Sequence, residues 1–131
     1  IMKKIIALTL LLLVVLSCSD SKDGDWDDNI KLSQKEVQFS STNNNVEIST
    51  EGTGWWIGEV TMNGEQFDLD GIDTTKENFI IEQAEFSIER KNSTEIYISM
   101  QQNQSTTERV LLIGLQAGNY FDGIKVTQSG N

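Results

Sequence analysis

Gly54-Trp55-Trp56-Ile57-Gly58-Glu59-Val60 runs through Thr61-Met62 into Asn63-Gly64 and out again along Glu65-Gln66-Phe67-Asp68-Leu69-Asp70. Asn-Gly between two alternating segments is the strongest short-range signal for a two-residue hairpin turn, because both residues accept positive φ. Such a turn fixes the register: Val60 opposes Phe67, and Gly58 opposes Leu69. The two-residue period of a strand then gathers Trp56, Val60, Phe67 and Leu69 on one face, the expected core. Trp55 and Ile57 fall on the other face.

The same period extends outward in both directions. Val37 and Phe39 alternate with polar neighbours, as do Val46 and Ile48, with Asn43–Asn45 supplying the turn between them. Gly71 to Glu77 reads as a polar loop. Beyond it lie Phe79-Ile80-Ile81, Phe86-Ser87-Ile88, and Ile96, Ile98 and Met100. Arg109 to Leu115 is nearly all apolar, as expected of a central strand covered on both sides. Gly118-Asn119 turns the chain, and Ile124 and Val126 belong to a last strand ending at Thr127-Gln128. About seven or eight short strands, with turn signals every 8–12 residues or so, predict an all-β antiparallel sandwich or barrel.

Composition narrows the chemistry. The chain has 131 residues, enough for one small domain, with 10 Lys+Arg against 20 Asp+Glu and a formal charge of −10. It contains no histidine, no proline and one cysteine. That removes most zinc sites, Ser-His-Asp triads, internal disulfides and CxxC motifs. The acidic balance argues against nucleic acid as a partner.

The N-terminus reads as an address. Met2-Lys3-Lys4 is a basic opening, and Ile5 to Leu16 is an apolar run too short for a membrane span, which needs about 20 residues. It fits a signal peptide over residues 1–17. Val15-Leu16-Ser17-Cys18 resembles the lipobox of bacterial lipoproteins, which implies lipidation of Cys18 and a membrane partnership through that anchor. Residues 18–29 form an acidic, flexible tether, and 30–131 the globular body. An acidic stretch after such a cysteine resembles the surface-export signal of Bacteroidetes lipoproteins. The implied location is the outer membrane, with the body exposed at the cell surface. Asp23, Asp25 and Asp27 have the spacing of an EF-hand, but Asp28 and Gln34 stand where the loop needs Gly and Glu. No metal or cofactor is expected.

Asn103-Gln104-Ser105-Thr106-Thr107-Glu108-Arg109, an apolar strand, a Gly turn and Ile124-Lys125-Val126-Thr127-Gln128 together resemble the C-terminal half of a BACON domain (Bacteroidetes-associated carbohydrate-binding often N-terminal). Val37-x-Phe39 and a central Trp, here Trp55 or Trp56, fit the same pattern. The resemblance implies an immunoglobulin-like β-sandwich without a catalytic site, and with it glycan binding or a spacer role.

Sugars stack on flat aromatic rings, so Trp55, Tyr97, Tyr120 and Phe121 are the candidate ligand-binding residues. Trp55 and Tyr97 point outward by alternation, and Tyr120 and Phe121 flank a turn. Asp73-Thr74-Thr75 resembles a short O-glycosylation motif of exported Bacteroidetes proteins, making Thr74 a candidate for modification. Asp68, Asp70 and Asp73 flank one loop, but a small sandwich offers no deep cleft for catalysis. Asn92-Ser93-Thr94 and Asn103-Gln104-Ser105 read as turns. The function expected is a non-enzymatic surface module that binds glycan or glycoprotein. The alternative is a spacer or a protein-interaction subunit of an outer-membrane surface complex.

Overall fold

A computed structural model describes residues 27–131. The leader, Cys18 and most of the tether lie outside the described residues. Among the described residues there are nine strands: β1 (Glu36–Phe39), β2 (Asn44–Ser49), β3 (Trp56–Met62), β4 (Glu65–Gln66), β5 (Phe79–Glu82), β6 (Phe86–Lys91), β7 (Glu95–Met100), β8 (Arg109–Ala117) and β9 (Tyr120–Gln128). They form two sheets, ordered β1-β9-β8-β3-β4 and β2-β7-β6-β5. The chain folds as an immunoglobulin-like β-sandwich: β3-β8-β9 lie in the order C-F-G of that fold and β2-β7-β6 in the order B-E-D. All pairs are antiparallel except β1 with β9, which is parallel.

Local chemistry sets the turns. Asn63 and Gly64 both have positive φ, 51° and 82°, so the hairpin is of type I′ as its sequence requires. Gly118 alone is positive at the β8–β9 turn, with φ 62°, which suits type II′. Between the sheets the inward positions of each strand interdigitate. Val60, Ile88, Ile98, Leu111 and Val126 are completely shielded from solvent.

Several expectations are corrected. The return strand after Asn63-Gly64 stops at Gln66 instead of running to Asp70, and Gly58 does not oppose Leu69. The Phe67 N–H still reaches the Val60 carbonyl at 2.9 Å, after which Phe67 tips inward and meets Phe86 edge-on, ring centres 5.0 Å apart. Asn44 and Asn45 belong to β2. The turn before them is Ser40–Asn43, closed by the Asn44 side-chain amide donating to the carbonyls of Ser40 and Thr42. At the start of the described residues the Asp28 carboxylate accepts the N–H groups of Ile30 and Lys31 and fixes a turn. β8 is central in its sheet but covered on one side only: its outward Leu112 is 45% exposed.

The largest correction concerns the tryptophans. Trp55 is buried and Trp56 is half-buried on the outer face, the reverse of the expected phase. The cause is a β-bulge. Ile57 pairs with Leu115 and Glu59 pairs with the next residue, Gly114, so Gly58 is extra. One extra residue inverts the alternation before it, and Ile57 and Val60 both face the core. The Thr74 hydroxyl donates to the Ile57 carbonyl at 2.7 Å and pins the bulged segment.

Buried Trp55 is tied from both sides. Its indole N–H donates to Thr50 Oγ1 at 3.0 Å and to the Gly52 carbonyl at 3.1 Å. The guanidinium of Arg90, only 1% exposed, lies 3.6 Å from its ring centre. Among the described residues, no carboxylate is in salt-bridge contact with Arg90. It donates to the carbonyls of Ser93, Trp55, Lys76 and Thr53 at 2.7–3.2 Å. Burial pulls its pKa down and the Glu77 charge pulls it back up, but a guanidinium stays protonated in proteins.

Candidate functional site

The outer face of the five-stranded sheet can be built row by row from its register. β9 presents Phe121, Gly123 and Lys125, and β8 presents Gln116, Gly114 and Leu112. β3 presents Trp56, the bulged Gly58-Glu59, and Thr61. Three rows therefore cross the strands: Phe121-Gln116-Trp56, then Gly123-Gly114-Glu59 with Gly58 beside it, then Lys125-Leu112-Thr61. The middle row has almost no side chains, so it is a trough between two walls. Two adjoining depressions of about 390 and 360 Å³ occupy it and share Glu59 and Gly114. Isolated glycines within strands mark places where a backbone or a ligand comes close, and here three strands place them at one level.

One wall is aromatic. Phe121 is 67% exposed, and Trp56 stands two strands away in the same row, with the Gln116 amide between them. Leu112 is the apolar centre of the other wall. Thr61, Lys125 and Glu36 supply acceptors and donors along the fringe, and the Glu59 side chain stands in the middle row at its β3 end. At the β9 end, Lys35 is bridged to Asp122 at 2.9 Å, and Asp122 also accepts the Tyr120 hydroxyl at 2.9 Å and the Gly123 N–H at 2.8 Å. Burial alone would raise the Asp122 pKa. The hydrogen bonds from Lys35, Gly123 and Tyr120 outweigh it and hold the carboxyl below its usual value.

The four residues singled out from the sequence do not converge. Trp55 is in the core. Tyr97 lies on the outer face of the opposite sheet, paired across to Glu47 and Glu89, with the Lys91 ammonium 4.7 Å from its ring centre. Burial, then the Glu47 and Glu95 charges, push its pKa up. Tyr120 packs against the core, its pKa raised by burial and then by Asp122. Only Phe121 belongs to the trough. Sequence reasoning missed Trp56, Glu59, Leu112 and the three glycines, although Gly58, Gly114 and Gly123 inside strand patterns were a usable signal. Thr74 is half-buried with its hydroxyl engaged, so the oxygen a glycan would take already serves the bulge.

A larger cleft of about 450 Å³ opens between the sheets beside Phe67, Phe86 and Arg109. Its two rings pack on each other, and Arg109 donates to the Gln101 and Gln102 carbonyls. Among the described residues no cluster of metal-ligating side chains is present, and no helix is long and apolar enough to cross a membrane.

No family model and no curated protein matches the chain. Among solved structures, the chain is similar to a protein from Bacteroides thetaiotaomicron determined by NMR. The TM-score is 0.66 at 18% identity, covering 87% of this chain and 98% of that one. Weaker likenesses include titin domain M4 (TM-score 0.46, 7% identity, 78% of this chain and 91% of that one) and titin domain M7 (0.43, 7%, 81% and 99%). At these identities the likeness concerns the fold alone.

Proposed function

We propose that the chain is a non-catalytic glycan-binding module of the BACON type, held at the outer membrane and displayed at the cell surface by lipid on Cys18. The observation that carries the binding function is the trough: glycines at one level of three strands, with Trp56 and Phe121 along one wall. The apolar face of a pyranose stacks on aromatic rings, and its hydroxyls suit the polar side chains of Glu59, Gln116, Thr61 and Lys125. The opposite sheet carries Glu47, Glu89 and Glu95 around Tyr97 and serves solubility. Support for the anchor and the location comes from the basic opening, the short apolar run and Cys18. The exposure of Leu112 and Phe121 favours a second reading, docking of a neighbouring surface protein on the same face.

A glycan array followed by calorimetry tests the binding function. Trp56→Ala and Phe121→Ala are each expected to weaken binding by 10-fold or more, about 1.4 kcal/mol, while thermal stability changes by no more than about 1 kcal/mol. No glycan bound, together with co-purification of a protein partner that Phe121→Ala releases, would give the docking reading instead. Clickable fatty acid is expected to label the wild type and not Cys18→Ser; an unlabelled wild type would remove the anchor from the account.

A further inference from the structure

The four-stranded sheet ends at β5 on an unpaired edge. Two bonds fix which way its backbone points: the Gln83 N–H donates to the Phe86 carbonyl at 2.9 Å, and the Gln101 N–H to the Glu85 carbonyl at 2.9 Å. Along an antiparallel ladder, bonded and non-bonded pairs alternate. With the observed register, Phe79 and Ile81 therefore bond to β6, while Ser87 and Glu89 of β6 bond to β7. The N–H and C=O groups of Ile80 and Glu82 point away from β6. Among the described residues they have no hydrogen-bond partner, and β5 is the last strand of its sheet. Edges are usually blunted by lysine, proline or a bulge. β5 reads Phe79-Ile80-Ile81-Glu82, pairs without a register shift and leaves Ile80 47% exposed. At the opposite edge of the sheet, Ser33 already takes both backbone groups of Ser49 in β2.

β5 leads straight into the cleft between the sheets. Gln83, the next residue, lines it together with Met62, Phe67, Phe86 and Arg109. A strand laid on β5 would put alternate side chains on the interior side, beside Ile81 and Gln83, and the one opposite Gln83 would enter the cleft. Its other side chains would lie on the outer face beside Ile80 and Glu82, with Glu89 next to Ile80 in the same row. Glu82 has no ion-pair partner among the described residues. Free backbone groups for affinity and a pocket for alternate side chains are the two parts of recognition by strand addition. We propose that β5 is a docking edge for an extended segment of a partner protein, added antiparallel as a fifth strand. That segment carries Lys or Arg on the face toward Glu82 and Glu89 and branched apolar residues on the face toward the cleft. A second copy of β5 fits less well: its Phe79 and Ile81 already pack in its own core, so it has no side chain for the cleft. The chain's own residues 19–26 have the wrong sign, with Asp20, Asp23 and Asp25 against Lys22. The edge belongs to the sheet opposite the trough, and the proposal does not depend on glycan binding.

The probe is a capped octapeptide of Lys alternating with Val and Leu, titrated into the full chain in a non-ionic detergent. Amide hydrogen exchange is expected to show Ile80 and Glu82 unprotected in the free chain and slowed at least 10-fold when the peptide saturates. The same peptide with Glu in place of Lys should bind at least 10-fold more weakly. In an antiparallel pair the Lys residues exchange both bonds with Ile80 and Glu82. N-methylation of the Lys residues should therefore abolish binding, and N-methylation of the Val and Leu residues should leave it within about 3-fold. Ile80→Pro removes an outward N–H and no bond to β6, so it should abolish binding while lowering the melting temperature by less than about 8 °C. No binding, equal binding of the two N-methylated peptides, or wild-type affinity in a folded Ile80→Pro would overturn the proposal. Ile80 and Glu82 amides already protected in a free chain that sediments as a dimer would give the edge to a second copy and overturn it as well.

Discussion

Arg90→Ala is expected to be the most damaging single substitution in the body, costing about 4 kcal/mol in urea or thermal unfolding, a large part of the stability of a domain this size. The guanidinium is the donor for four carbonyls, from Thr53, Trp55, Lys76 and Ser93, that belong to three separate stretches of the chain. Alanine leaves those oxygens facing a cavity and strips one face of Trp55. Arg90→Lys should recover part of the loss, since an ammonium has three donors but no planar face to lie on the indole. Trp55→Ala should be similarly costly, in the range of about 3–5 kcal/mol for a buried tryptophan. The double variant should cost clearly less than the sum, because the two side chains contact each other. An additive pair, or an Arg90→Ala protein as stable as wild type, would mean that the buried arginine is not what ties the loops before β3 to the turn between β6 and β7.

Asn103→Ala is expected to cost about 3 kcal/mol. The side chain is completely buried. It donates to the Thr107 and Ser129 carbonyls at 2.8 and 3.1 Å and accepts the Ser105 N–H and hydroxyl at 3.1 and 2.9 Å. It thus joins the loop before β8 to the end of β9. Asn103→Asp is isosteric yet should be at least as harmful at neutral pH, because a carboxylate oxygen would then face two carbonyls. Its stability should improve as the pH falls and the carboxyl takes up a proton. Buried Gln128 plays a parallel part, donating to Thr42 and Gln101 and accepting from Arg109. Unfolding midpoints of the two Asn103 variants across pH 4–8 check this, and equal midpoints for Ala, Asp and wild type would contradict it.

Asn103, Arg109 and Gln128 are among the residues that carry the resemblance to BACON domains, and in the structure they close one end of the sandwich. A motif legible in the sequence was therefore a device of the fold, while the ligand face carried no motif. The strands themselves were legible because each inward run alternates, and the Asn63-Gly64 and Gly118-Asn119 turns were legible because few residues accept their φ angles. Arg90 was legible in principle: it shares the parity of buried Phe86 and Ile88 along β6. Its burial needed carbonyls from distant loops, and local pattern does not show those.

The bulge at Gly58 was not legible. Glycine in a strand announces an irregularity without saying how many residues oppose one, and that count decides which tryptophan is buried. The expected ligand face failed for this reason alone at Trp55. Tyr97 failed for another: alternation correctly turned it outward, but only the strand order shows that its sheet is the one opposite Phe121.

Amide and indole chemical shifts, followed while the full chain is titrated with the oligosaccharide that binds it most tightly, test the central claim directly. The account expects the resonances of Gly58, Gly114, Gly123 and the Trp56 indole N–H to move together and saturate at one affinity, with Glu47, Glu89 and Tyr97 unmoved. Shifts confined to the β2-β7-β6-β5 face, or a saturating titration that leaves the three glycines where they were, would contradict it.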